Sequence, residues 1–228
     1  MCEGRTHAIS GAVTGAAVAE YILHLPLAGT VALAGLTAGA AVLPDLDHPQ
    51  ATLAHSFGFM TKLFAEFVGK ISGGHRHGTH SVAGIAIFTG LAWAAVHYRH
   101  DLAGRIGLCV LLSLIIAGGL YAARVKGHFA DLIAIGGAVA MTVTGTGLAL
   151  VAIATGLGCA AHIIGGDMFT DSGCPLGWPL ARYRFKWVPE PLAFTTGTRP
   201  EGVFALVLMI ALIWLAGRAV AVPHWPAL

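Results

Sequence analysis

Charge is what this sequence lacks most. Lysine, arginine, aspartate and glutamate make up 11% of its 228 residues, less than half the share of about 25% found in ordinary soluble domains. A chain so poor in charge cannot clothe a water-facing surface. With 56% apolar residues and a mean hydropathy of +0.76, it belongs among membrane proteins. Cysteine is also scarce: Cys2, Cys109, Cys159 and Cys174 form no CxxC pair, which argues against a disulfide framework and against a cysteine-built zinc site. No internal repeat is evident, and no pattern points directly to nucleic acid. The length holds roughly six or seven spans of about 20 residues. It leaves no room for a separate soluble domain, so residues 1–228 read as one membrane-embedded helical domain.

Apolar runs at residues 8–25, 27–43, 80–97, 104–123, 129–154 and 202–220 predict the spans. The first two close at Leu25-Pro26 and Leu43-Pro44, where proline disfavours helix in the residue before it. Glu20 and His24 interrupt the first run and another follows at once, so a helical hairpin is expected rather than a cleaved signal peptide. After Thr155-Gly156-Leu157-Gly158, a break is expected, followed by a piece at 159–170 too short to span alone. Within the polar connection 44–79, Phe57, Phe59, Leu63, Phe64, Phe67 and Val68 alternate with Lys62, Glu66 and Lys70, as in a helix lying in the interface. Residues 171–201 form a Pro/Gly/Arg-rich loop. The expected fold is all-α: a polytopic bundle of about six or seven helices plus an interfacial amphipathic helix.

If each long segment crosses once, Arg5, Lys62, Lys70, Arg76, Arg124, Lys126, Arg182, Arg184, Lys186 and Arg199 share the N-terminal side. Only Arg99, Arg105 and Arg218 fall opposite. The positive-inside rule makes the first side cytoplasmic. The twelve histidines are many for so apolar a chain, and the same folding sorts them. His7, Asp45, Asp47, His48, His75, His77, His80 and Asp167 gather on or near the basic side. His24, His97, His100 and His224 fall at the other side and read as interfacial polar residues.

Four motifs carry chemistry, at 6–11, 43–49, 75–81 and 162–179. Leu43-Pro44-Asp45-Leu46-Asp47-His48-Pro49 holds two carboxylates between prolines, which suits a helix-stopping turn or oxygen ligands for a cation. His75-Arg76-His77-Gly78-Thr79-His80-Ser81 sets three histidines at a helix entrance; imidazole is the commonest metal ligand. Thr79 or Ser81 is also suited to capping that helix, and Arg76 to holding a phosphate or carboxylate. His162 and Asp167 flank Gly165-Gly166, and a buried His or Asp in a membrane segment is functional by default. Five residues apart, they lie about 140° apart on an ideal helix, so a local bulge at the glycines is expected to bring them together. His7 follows Arg5-Thr6 at the start of the first span. Glu20 should face the bundle interior, and His128 with Asp131 form a weaker pair.

Taken in order, Thr6-His7 with Gly11, the 43–49 block, His75-Arg76 with Thr79-His80-Ser81, and Asp167-x-x-Thr170-x-x-Gly173 leading to Trp178-Pro179 resemble the YdjM/YbcI-like family. That family comprises membrane-bound, predicted metal-dependent hydrolases, also described as LexA-binding inner-membrane proteins. The resemblance extends from residue 6 to residue 179. It implies an all-helical enzyme of a bacterial-type inner membrane, multi-pass and similar to zinc-dependent phospholipase C-type phosphoesterases. His7, Asp45, His75, His80 and Asp167 are the implied ligands of a divalent ion, zinc by that likeness, with Asp47 a ligand or its neighbour. His162 is the sixth candidate, although the family pattern places its histidine four residues before the aspartate, not five.

The expected function is therefore metal-dependent hydrolysis of a phosphoester, on a phosphorylated or lipid substrate at the bilayer. A metal-activated water would attack, Asp47 would take its proton, and Arg76 would steady the phosphate. Two alternatives stand beside it: a metal transporter or sensor using the same residues, and a non-catalytic membrane adaptor. An adaptor would use the basic, aromatic stretch 182–187, which equally suits anionic headgroups.

Overall fold

A computed structural model describes residues 3–221; Cys2 and His224 lie outside the described residues. The described residues form eight α-helices: α1 (Gly4–Tyr21), α2 (Leu27–Ala40), α3 (Phe59–Ile71), α4 (Val82–His97), α5 (Leu102–Ala122), α6 (His128–Thr144), α7 (Leu148–Ile164) and α8 (Arg199–Ala221). Among the described residues there are no named strands, only two isolated bridges, Thr170 with Phe194 and Cys174 with Phe185. The all-helical bundle expected from the hydropathy pattern is what the chain builds.

Four segments are long and apolar enough to cross a membrane: Leu27–Asp47, Leu102–Ala122, Leu148–Phe169 and Arg199–Ala221. Val82–His97 and His128–Thr144 are apolar but shorter. The amphipathic stretch forms α3, which turns Phe59, Met60, Phe64 and Phe67 outward and buries Thr61 and Ala65.

One boundary differs from expectation. The chain does not break at 155–158; α7 runs through both glycines, and the break falls earlier, where Gly145 and Gly147 adopt positive φ of 74° and 72°. The glycines inside α7 serve packing. A Cβ on Gly158 would come within 2.6 Å of the Ala40 side chain, so its absence lets α7 lie against α2. Gly39 does the same for α5, since a Cβ there would overlap the Ile115 carbonyl. Helix α2 thereby sits at the centre, packed on α1, α5 and α7. Because α6 and α7 replace the two segments expected over 129–170, the direction of every later segment is unchanged.

The C-terminus of α5 is closed by a pair of reversed hydrogen bonds, Val125 N–H to Leu120 O at 2.9 Å and Arg124 N–H to Tyr121 O at 3.0 Å. This closure calls for a left-handed residue, usually glycine. Here Arg124 fills it with φ +66°, at a cost of roughly 1–2 kcal/mol for a residue bearing a Cβ.

Candidate metal centre

Five elements deliver the polar residues to one end of the bundle. His7 comes from the first turns of α1. Asp45 and Asp47 lie on a 3₁₀ turn, Leu43–Asp47, that Pro44 opens directly after α2. His75, Arg76 and His80 come from the loop before α4. That helix is capped by Ser81, whose Oγ accepts from Gly84 N–H at 3.1 Å. Thr79 is left for the centre. His162 stands on the last turn of α7, and Asp167 on the turn that follows.

The expected bulge at Gly165-Gly166 is absent. Instead α7 ends at Ile164, Gly165 caps it, and a 3₁₀ turn, Asp167–Phe169, swings the aspartate back beneath its own helix. His162 Nε2 and Asp167 Oδ2 then lie 3.5 Å apart, so the five-residue interval presents no obstacle. Gly166 is required there, because a Cβ would come within 2.6 Å of His7 Nδ1.

Hydrogen bonds fix the direction of two rings. Thr79 Oγ1 donates to Asp47 Oδ2 at 2.6 Å, and so it accepts from His80 Nδ1 at 2.9 Å. The Ala41 carbonyl can only accept, and it lies 2.7 Å from His162 Nδ1. With both Nδ1 atoms donating, the neutral rings carry lone pairs on Nε2. Those two Nε2 atoms face each other at 3.1 Å. Two lone pairs repel at that distance unless a proton or a metal cation stands between them.

The surrounding carboxylates complete the pattern. Asp45 Oδ1 lies 3.6 Å from His80 Nε2 and 3.7 Å from His162 Nε2. Asp167 Oδ2 lies 3.5 Å from each. Donors held at about 2.0–2.2 Å by a tetrahedral ion stand about 3.3–3.6 Å from one another. These separations match that spacing and are long for hydrogen bonds. Asp45 Oδ1 is buried with no hydrogen-bond partner, and so are both ring nitrogens of His7. His7 stacks on His162 at 3.6 Å between ring centroids, and its Nε2 lies 3.5 Å from Asp167 Oδ1. Buried polar atoms without partners are costly. The donor set therefore could hold a metal cation.

Around this core the remaining residues orient it. Asp47 accepts from His75 Nδ1 at 2.7 Å, the Arg76 backbone N–H at 3.0 Å and Thr79. Arg76 adopts φ +60° and sends Nη2 to Asp167 Oδ1 at 2.6 Å. Burial alone would lower the His80 pKa; the neighbouring Asp45, Asp47 and Asp167 carboxylates outweigh it and push the value up to about 9. A proton is thus the competitor for the same position.

Of the six predicted ligands, His7, Asp45, His80, His162 and Asp167 converge. His75 lies on the other side of Asp47, in a neighbouring group with Asp47 and His80. Cys174 escaped the sequence reading. Its buried thiol, kept protonated by burial and the nearby Asp167 charge, donates to Asp167 Oδ2 at 3.8 Å. With no second cysteine near it in sequence, nothing in the spacing marked it. His128 and Asp131 stay apart from the centre, and Asp131 accepts from the Tyr121 hydroxyl at 3.0 Å.

Fold and site together define a polytopic helical membrane protein with a buried histidine–aspartate centre at one end of its bundle. A family model described as "YdjM inner membrane protein" matches residues 1–224, and the chain belongs to that family. No curated protein and no solved structure matches it.

Proposed function

We propose that this protein is a metal-dependent hydrolase of phosphoesters, embedded in the inner membrane with its centre facing the cytoplasm. The observation that carries the reading is the pair of opposed Nε2 lone pairs of His80 and His162, ringed by carboxylate oxygens at ligand-to-ligand spacing. Asp45, His80, His162 and Asp167 hold the ion, with His7 against Asp167. When bound, such an ion supplies Lewis acidity, making a water acidic near neutral pH and polarising a phosphoryl oxygen.

The chain's own residues do the rest. Asp47 holds His75 by its Nδ1, and this pair, partly open at the His75 side, accepts the proton of the attacking water and returns it to the leaving oxygen. Arg76 fixes Asp167 with one Nη, while its buried Nε lacks a hydrogen-bond partner and is available to a substrate phosphoryl oxygen. The ten-to-three bias of basic residues supports the cytoplasmic orientation. Because the donors cluster at helix ends, not at mid-span, the arrangement favours an enzyme over a transporter.

The test is elemental analysis of the purified full chain, with hydrolysis of a phosphoester panel, for wild type, His80→Ala and Asp45→Ala. Bound metal and hydrolysis, both lost in the variants, are expected. Wild-type protein free of metal and unaffected by either substitution would end the proposal.

A further inference from the structure

A cavity of about 390 Å³ opens beside the centre, within the size range of small-molecule sites, about 300–1,000 Å³. Asp45 is the residue of the centre that lines it, and its buried Oδ1 has no hydrogen-bond partner. Arg5, Arg124 and Lys126 line the same cavity, with Glu3 as the opposing charge. Among the described residues, none of the three cations makes an ion pair. Thr196 adds a buried Oγ1 that also lacks a partner.

We propose that this cavity is the anion-binding subsite of the centre, and that Arg5, Arg124 and Lys126 receive the phosphate group of the substrate there. The choice of phosphate rests on the phosphoester reading above. The cations come from α1 and from the α5–α6 connection, so they reach the cavity from two sides. An arginine's planar donors suit a phosphate. Arg124 also stands where the helix end would be better served by glycine: its left-handed backbone (φ +66°) is tolerated in place of the residue that fits without strain. A second cavity, of about 410 Å³, shares Glu3 and Arg5 with the first and continues between α1 and α8 past Ile9, Leu206 and Met209. The phosphate can therefore belong to a lipid whose chain follows that apolar wall, or to a soluble molecule.

Calorimetry on the metal-loaded full chain in detergent, with inorganic phosphate as probe, separates these ideas. Arg124→Gly should raise the Tm, because glycine relieves the left-handed position. The same variant should weaken phosphate binding about tenfold, as expected for loss of a hydrogen bond to a charged group. Lys126→Gln should weaken binding as well, whereas Arg99→Gln, on the far side of the bundle, should not. In nanodiscs, phosphatidic acid that competes with inorganic phosphate, where phosphatidylcholine does not, assigns the lipid source; no competition assigns the soluble one.

Metal content is measured in parallel. If metal is retained but phosphate does not bind, or binds equally in all variants, the subsite proposal falls and the metal reading survives. The cations are then cytoplasmic anchors only. If phosphate binding depends on Arg124 in a protein that holds no metal, the subsite stands and the hydrolase reading falls.

Discussion

The two ends of the bundle solve the same problem in opposite ways. Both hold titratable groups close to apolar helices. At the far end, buried Glu20 of α1 pairs with Arg218 of α8 at 3.5 Å, and the guanidinium lies over the Tyr21 and Trp214 rings at 5.4 and 5.6 Å. His97 stacks on Trp93 with ring centroids 4.8 Å apart. The buried carboxylate there has a cationic protein partner. At the near end, by contrast, Asp45 Oδ1 and both ring nitrogens of His7 are buried without a hydrogen-bond partner. A bundle end that only needed stability would resemble the first arrangement. The second tolerates unpaired groups, and the proposed ion is what would offset that cost.

Substitution should break this contrast most severely at the near end. His162→Ala or Asp167→Asn is expected to abolish metal retention, read by elemental analysis, because each removes one corner of the donor set. Gly166→Ala should follow closely. Its new methyl group collides with the His7 ring, so metal content should fall while circular dichroism remains helical. Asp47→Asn acts only through the rings it orients, and a loss of about 10–100-fold in metal affinity is expected; a change no greater than that of a surface variant would deny the orienting role.

The far end should respond more weakly. Arg218 is 42% exposed, so Arg218→Ala should cost about 1 kcal/mol in thermal unfolding and leave metal content untouched. If Arg218→Ala strips the metal, the two ends are coupled and the contrast fails. A further difference concerns pH. The neighbouring carboxylates raise the His80 pKa from 6.5 to about 9. Its proton therefore stabilises chelator-treated protein fully below pH 6.5, and that contribution is lost as pH rises through 9. Added metal should reverse the trend, since its affinity rises as the proton leaves. Thermal melts at pH 6 and 9, with and without chelator, measure both slopes.

Much of this arrangement was legible in the residues. Apolar runs bounded by Pro26 and Pro44 located the first hairpin, and the alternation of crossings brought His7, Asp45, His80 and Asp167 to one side without any coordinates. The exchange of roles among glycines was not legible. Gly156 and Gly158 read as a break, whereas Gly145 and Gly147 make it, because a glycine that turns the chain and one that admits a neighbouring helix look identical in sequence. Nor could spacing reveal that Asp167 lies past a helix end; angular arithmetic on an ideal helix does not apply once the helix stops. Nor could spacing reveal the three donors that Asp47 accepts from, His75, the Arg76 backbone and Thr79.

The centre draws His7 from the first helix and Asp167 from the turn after the seventh, with all the other donors between. At translation rates of about 5–20 residues per second, the first donor waits roughly 8–30 s for the last. Nothing with the full donor set can exist before α7 has been inserted and has packed against α1 and α2. Acquisition of the proposed metal would thereby be ordered after membrane integration, and a chain truncated before residue 167 is predicted to be synthesised empty. The ion would report that the bundle is complete, much as the last stone of an arch reports that both sides stand.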